Sequence, residues 1–221
     1  MKCPNPNCQT ENDISAKYCC ECSTLLLCQV FISHDSRDKK LAEVFRKLLI
    51  QASSNRFPVF CSSNPGDIPY GAQWFQQIVK EIANSRKVIC LLTEKSFKKP
   101  WILYEAGIAS GMRDNRENKG IKNDRDVICI LIGIKENKII RSPFSQFQHC
   151  ICNDNDSDTI KTFIKLIKQI FKEICPNFEY CEEIDEQLLG LVKSFVESVS
   201  DILRLRNNLN VNYKNTPHEM L

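Results

Sequence analysis

The chain has 221 residues, 43% of them hydrophobic and 26% charged, and a net charge of +3. That is apolar enough for one ordinary core with a small appendage, and too nearly neutral, without a long Lys/Arg block, to argue for a nucleic-acid partner. The N terminus, MKCPNPNC, lacks the apolar run of a secretory signal, and Val127 to Ile134, the longest apolar stretch, falls far short of the about 20 residues that span a bilayer, so a cytoplasmic protein without membrane contact is expected.

Thirteen cysteines, an odd number in a chain without a signal, argue for reduced thiols and metal ligation rather than disulfides. In residues 1–26, four residues separate Cys3 from Cys8, two separate Cys19 from Cys22, and ten lie between the pairs. Each pair forms a turn that points two thiolates at one ion, and two such turns make a tetrahedral zinc site. The filling residues are turn formers that cannot build an apolar core at this length, so Zn2+ would supply the folding energy. CPNPNC and AKYCCEC resemble the two knuckles of the short zinc ribbons that begin many prokaryotic proteins. Gln9 and Ser23 stand where a glycine is common, and Cys20 is a competing ligand. With only Lys2 and Lys17 basic, a structural or partner-docking ribbon is favoured over one that touches nucleic acid.

Residues 27–175 alternate strand and helix. Leu25 to Ser33, LLLCQVFIS, has little alternation and reads as a strand buried on both faces. Asp35 or Ser36 caps a helix with the stripe Leu41, Val44, Phe45, Leu48 and Leu49. Phe57 to Cys61 is a second strand, and Ser62 to Gly71, SSNPGDIPYG, is a loop of turn residues. The next helix is expected to turn Trp74, Phe75, Ile78, Val79 and Ile82 inward. Val88 to Leu92 is a buried strand, and Pro100, whose fixed φ and missing N–H suit a first helical position, opens a helix to Met112. Arg113 to Asp126 is expected to be a mixed-charge loop, Val127 to Gly133 and Cys150 to Cys152 strands, and Thr159 to Ile174 a helix.

About five alternations predict an α/β fold, a flavodoxin-like parallel sheet with helices on both faces. Ligands of such sheets sit at the C-terminal strand ends. Those ends hold Ser33 to Asp35, Ser62 to Tyr70 and Thr93 to Trp101, with Glu105 beside them. Trp101 and Glu105, four apart, share a helical face, although a glutamate near a helix start is also what the helix dipole alone favours. No phosphate-cradling glycine pattern, HExxH or nucleophile elbow occurs, and the three histidines are scattered.

VFISHDSRDKKLAEVF, then SSNPGDIPYGAQWFQQIVKEIANSRKVICLLTEKSF, then WILYEAGIA resemble, in order, the Toll/interleukin-1 receptor (TIR) domain in its bacterial form. Because several TIR domains cleave NAD+ between nicotinamide and ribose, the resemblance implies an NAD+ glycohydrolase (NADase) with NAD+ as substrate. Its catalytic residue would be Glu105, four residues after the motif tryptophan. It also implies substrate-binding roles for Phe31, Ser33 and His34 at the first strand's end, for Ser62, Gly66 and Asp67 in the loop, and for Trp101 as a pocket wall. A single carboxylate suits this chemistry, since nicotinamide leaves as a neutral pyridine and needs no general acid, whereas charge developing on the ribose needs a negative neighbour. Lys99 stands where many active members have a serine, and His34 where an aromatic residue is usual. The resemblance further implies self-association through the TIR domain, an activating protein or ligand, and an effector role in bacterial antiphage defence, with ADP-ribose, a cyclised form or a conjugate as product. Two other readings stay open: a noncatalytic TIR scaffold, and a nucleoside deoxyribosyltransferase-like enzyme with Glu105 as nucleophile, against which a missing Asp-x-Gly-Thr stretch weighs.

In residues 176–206, Ile184, Leu188, Leu191, Val192, Phe195, Val199, Ile202 and Leu203 fall on one helical stripe, expected to pack on its own domain rather than on another copy. Residues 207–221 are polar and asparagine-rich and are expected to form a disordered tail.

Overall fold

The computed structural model describes residues 3, 8, 10–13, 16, 19–22, 29–55, 57–63, 73–117, 126–152, 155–174 and 182–215. Strands β1 (Gln29–Ser33), β2 (Val59–Cys61), β3 (Ser85–Leu92), β4 (Asp126–Ile132) and β5 (Gln148–Cys152) form one parallel sheet in the order β2-β1-β3-β4-β5. This is the flavodoxin-like order, with its switch point between β1 and β3. Helices α1 (Lys39–Ala52), α4 (Ser157–Ile174) and α5 (Glu182–Asn215) cover one face, and α2 (Trp74–Asn84) and α3 (Pro100–Glu117) the other.

Successive side chains on a strand point to opposite faces, and both faces here are buried. On β1, Val30 and Ile32 join α1, α4 and α5, while Phe31 joins α2 and α3; on β3, Ile89 and Leu91 go one way and Val88, Cys90 and Leu92 the other. Burial on both sides is why these strands read as unbroken apolar runs. At the N-terminal edge Lys87 is wholly buried and paired with Asp126 and Glu173, which ties β3, β4 and α4 together.

Three sequence expectations need correction, and one link was not anticipated. Only Ile78 and Ile82 of α2 are fully buried, while Trp74 and Phe75 are 46% and 45% exposed: they lie on the helix's first turn, one turn before the first residue that reaches the core. The β4–β5 crossover has no α-helix. Gly133 at φ +63 and Pro143 leave too short a stretch, and two 3-10 turns, Glu136–Lys138 and Pro143–Gln146, carry Ile139, Phe144 and Phe147 onto the sheet instead. Helix α3 continues through Arg113 to Glu117, since neither Gly nor Pro intervenes to stop it. Helix α5 runs on to Asn215, past the boundary expected at 206; the next helix breaker in the sequence is Pro217.

The stripe of α5 buries Leu188, Val192, Phe195, Val196 and Val199 on its own domain. The Phe195 ring centre lies 5.6 Å from that of Phe45 on α1 and 5.1 Å from that of Phe163 on α4. No described helix is long and apolar enough to cross a membrane.

Candidate active site

Strand alternation puts Ser33, two residues after Phe31, on the α2/α3 face at the end of β1. Pro100 starts α3 on that same face, so the fifth residue after it, Glu105, comes under the strand ends. The Ser33 hydroxyl donates to Oε2 of Glu105, and the Trp101 indole N–H donates to Oε1 at 2.6 Å. Glu105 is 1% exposed. Burial pushes its carboxyl up to about 7, against the opposing pull of the hydrogen bonds from Ser33 and Trp101. The arrangement is a carboxylate held by one donor on each oxygen that titrates near neutral pH.

Cys90 lies in register with Ser33 on one side and Cys129 on the other, and the Cys129 hydrogen bond together with burial holds its thiol well above the ordinary range. Toward solvent, Trp74 stacks on Trp101 with ring centres 4.5 Å apart, and Phe75 and Tyr104 flank the same indole at 6.1 and 5.7 Å.

The other expected site residues are placed differently. Phe31 is wholly buried and stacks on Phe60 at 5.3 Å. His34 turns to the opposite face from Glu105, with Nδ1 3.5 Å from the Ile32 carbonyl and 3.9 Å from Cys61 Sγ; burial lowers its pKa. Ser62 follows β2 and is half-buried, while Gly66 and Asp67 lie outside the described residues. Lys99 is exposed, and it adds a little to the lowering of the Asp35 carboxyl that Arg37 chiefly causes.

A second layer escaped the sequence reading. Asp38, 0% exposed, accepts from Thr93 Oγ1 at 2.9 Å and from Arg206 Nη1 at 2.7 Å. Asp38 belongs to the FISHDSRD box and reads as an ordinary helix-start residue; no local signal pairs it with an arginine 168 positions away.

A sequence profile of the TIR domain matches residues 30–167, more than half of the chain. The chain belongs to the TIR domain family. It is also similar to a solved structure described as the TIR domains of the activated Roq1 resistosome directly recognizing the pathogen effector XopQ, at 11% identity and a TM-score of 0.39, over 80% of this chain and 97% of that one. No curated protein matches it. The match to the TIR domain ends within α4, so α5 lies wholly beyond it.

Ahead of the TIR domain, the thiols of Cys3, Cys8, Cys19 and Cys22 all lie within 4.8 Å of one another, with Cys3 Sγ 3.5 Å from Cys22 Sγ and Cys8 Sγ 3.6 Å from Cys19 Sγ. A tetrahedral ion with bonds of about 2.3 Å to sulfur requires edges of about 3.8 Å, so these four could hold a metal ion. Asn12 donates to Cys19 Sγ at 3.4 Å and accepts from the Cys20 amide at 2.9 Å, linking the second turn to the first. The backbone N–H of Cys22 heads the causes that lower the Cys19 thiol, which favours the thiolate a metal requires. Cys20 is exposed and does not belong to the group.

Proposed function

We propose that this TIR protein cleaves the nicotinamide–ribose bond of NAD+ with Glu105 as its catalytic residue, and that its four N-terminal cysteines hold a structural Zn2+. The observation that carries the first part is the setting of Glu105: almost fully buried, at the C-terminal ends of a parallel sheet, with one protein donor on each oxygen. A carboxylate offers about four lone-pair sites, so each oxygen keeps acceptor capacity for a ribose hydroxyl after Ser33 and Trp101 are served. When the glycosidic C–N bond breaks, its electron pair leaves with a neutral nicotinamide, and positive charge grows on the ribose. The ionised Glu105 stabilises that charge, strongly because water is excluded around it. A water molecule, or a nucleophile within the substrate, then bonds to the anomeric carbon and releases a proton.

Trp101 orients the carboxylate, and the Trp74 stack holds Trp101. The active species is a self-associated form in the cytoplasm, acting as a defence effector once a protein or ligand triggers assembly, as the family resemblance implies. The zinc part rests on the tetrahedral closeness of the four thiols, in a segment whose composition cannot supply a core.

NAD+ consumption by wild type and Glu105→Ala, across a protein concentration series, tests the reading. A loss that rises steeply with concentration and vanishes in the variant supports it, and residual cleavage by the variant overturns it. Wild type that spares NAD+ at every concentration points to a scaffold or to an absent activator, or, if it transfers the base of a deoxynucleoside, to a deoxyribosyltransferase.

A further inference from the structure

The match to the TIR domain stops at residue 167, yet the frame of the Glu105 site draws on α5, well past that point. The Asp38 carboxylate has no exposure to water and takes its two bonds from different directions: Oδ1 from Arg206 and Oδ2 from Thr93. Arg206 Nη2 also donates to the Arg37 carbonyl at 2.7 Å, so the flat guanidinium engages side chain and backbone of one turn at once. Arg37 in turn reaches the Lys95 carbonyl at 2.7 Å.

These bonds join the two segments that carry the two halves of the Ser33–Glu105 contact. Arg37 and Asp38 lie in the turn that leaves Ser33. Thr93 opens the connection to α3: its amide donates to Ser96 Oγ at 2.9 Å, and the Lys99 amide donates to the Ser96 carbonyl at 2.8 Å, immediately before Pro100. Asp38 is therefore a rivet between the segment of Ser33 and the segment of Trp101 and Glu105, and Arg206 supplies its countercharge. A buried carboxylate deprived of that countercharge rearranges or takes up water, and either loosens the rivet.

We propose that Arg206 is a positioning residue for Glu105: acting through Asp38 and Thr93, it keeps Ser33 and Trp101 on the two oxygens of the carboxylate, so that α5 completes a site the matched TIR region alone leaves unfinished. The effect on turnover rests on the reading of Glu105 as the catalytic residue; the effect on geometry does not.

The test uses the full chain as wild type, Arg206→Gln, Arg206→Lys and Glu105→Gln, with two readouts. One is kcat and KM for NAD+. The other is tryptophan emission against pH, because the Trp101 indole is bonded to Glu105 and senses its proton; the part of the titration absent from Glu105→Gln belongs to Glu105. Folded Arg206→Gln is expected to lose about 100-fold in kcat with KM little changed, as misplacement of a reacting group does. Its emission midpoint moves up by about one pH unit as the carboxylate loses a donor. Arg206→Lys, which restores the charge and one bond of two, falls between. An emission midpoint in folded Arg206→Gln equal to that of wild type overturns the proposal, whatever happens to kcat. If Arg206→Gln does not fold, Arg206→Lys with wild-type midpoint and kcat overturns it. A shifted midpoint in a chain that does not cleave NAD+ upholds the positioning role alone.

Discussion

Trp101 donates its indole N–H to Oε1 of Glu105 from one turn away on α3, at 2.6 Å. The same ring is stacked under Trp74, so the donor cannot swing away without breaking an aromatic contact. A hydrogen bond to a charged group contributes about 1.5–3 kcal/mol, and burial puts this one at the upper end. Trp101→Phe keeps the ring and removes the donor. It is expected to lower kcat by at least about tenfold and to move the pH midpoint of turnover upward, which a pH–rate profile of the two proteins would show.

Turnover and stability should respond to pH with opposite signs. The proposed cleavage needs the ionised carboxylate, and with the Glu105 carboxyl at about 7, kcat should rise through neutrality and level off above it. For stability, the folded-state value is raised from an ordinary 4.5, so between 4.5 and about 7 the folded chain keeps a proton that the unfolded chain has lost. The contribution of Glu105 is thus fully present below 4.5 and is lost as pH rises through about 7, a cost of about 3 kcal/mol. Glu105→Gln should therefore be inactive yet more stable than wild type at pH 8, with the gap closing toward pH 4.5. Urea unfolding at the two pH values checks this, and a variant less stable at pH 8 would contradict it.

Lys87 offers a test of the core at the opposite edge of the sheet. The ammonium is 1% exposed, whereas its partners Asp126 and Glu173 are 49% and 31% exposed. Removing the lysine leaves carboxylates that water can reach, but removing the carboxylates leaves a buried, unpaired cation. Lys87→Met is therefore expected to cost under about 1 kcal/mol, and Asp126→Ala with Glu173→Ala about 3–5 kcal/mol. Denaturant midpoints of the two variants would rank them, and the reverse order would refute the argument.

Purified chain should carry one zinc ion per molecule. Cys19→Ser should lose it and Cys20→Ser should keep it, since Cys20 stands outside the four-thiol group. Metal analysis after gel filtration separates the two cases, and equal zinc in both variants would mean that the ion is held elsewhere.

How far the sequence could carry these conclusions depended on the range of the signal. The pairing of Trp101 with Glu105 follows from four-residue helical spacing, and the placing of Ser33 from a strand end beside a helix start; both are local patterns, and the structure joins them at one carboxylate. Trp74 shows a first limit: a hydrophobic stripe tells which face of α2 turns inward but not where the sheet beneath it stops. The β4–β5 crossover shows a second, because alternating strand and helix carries no information about a link in which scattered Ile139, Phe144 and Phe147 do the covering. Asparagine is a weak helix former, yet propensity is a weak prior, and α5 continues through Asn207 and Asn208. The Asp38–Arg206 pair has neither period nor proximity in the chain and could be found only in three dimensions.

Leu203 of α5 lies so close over the turn after β4 that a Cβ added to Gly133, which already has φ +63, would come within 3.3 Å of it. With Arg206 three residues later bonded to Asp38, the last helix closes over the ends of two separate strands. The unit that folds and the unit that family resemblance outlines therefore have different edges. A protein cut after residue 175 would keep every motif by which the family is known, and would still bare the apolar surface under Phe195 and Val199 and leave a buried aspartate without its arginine.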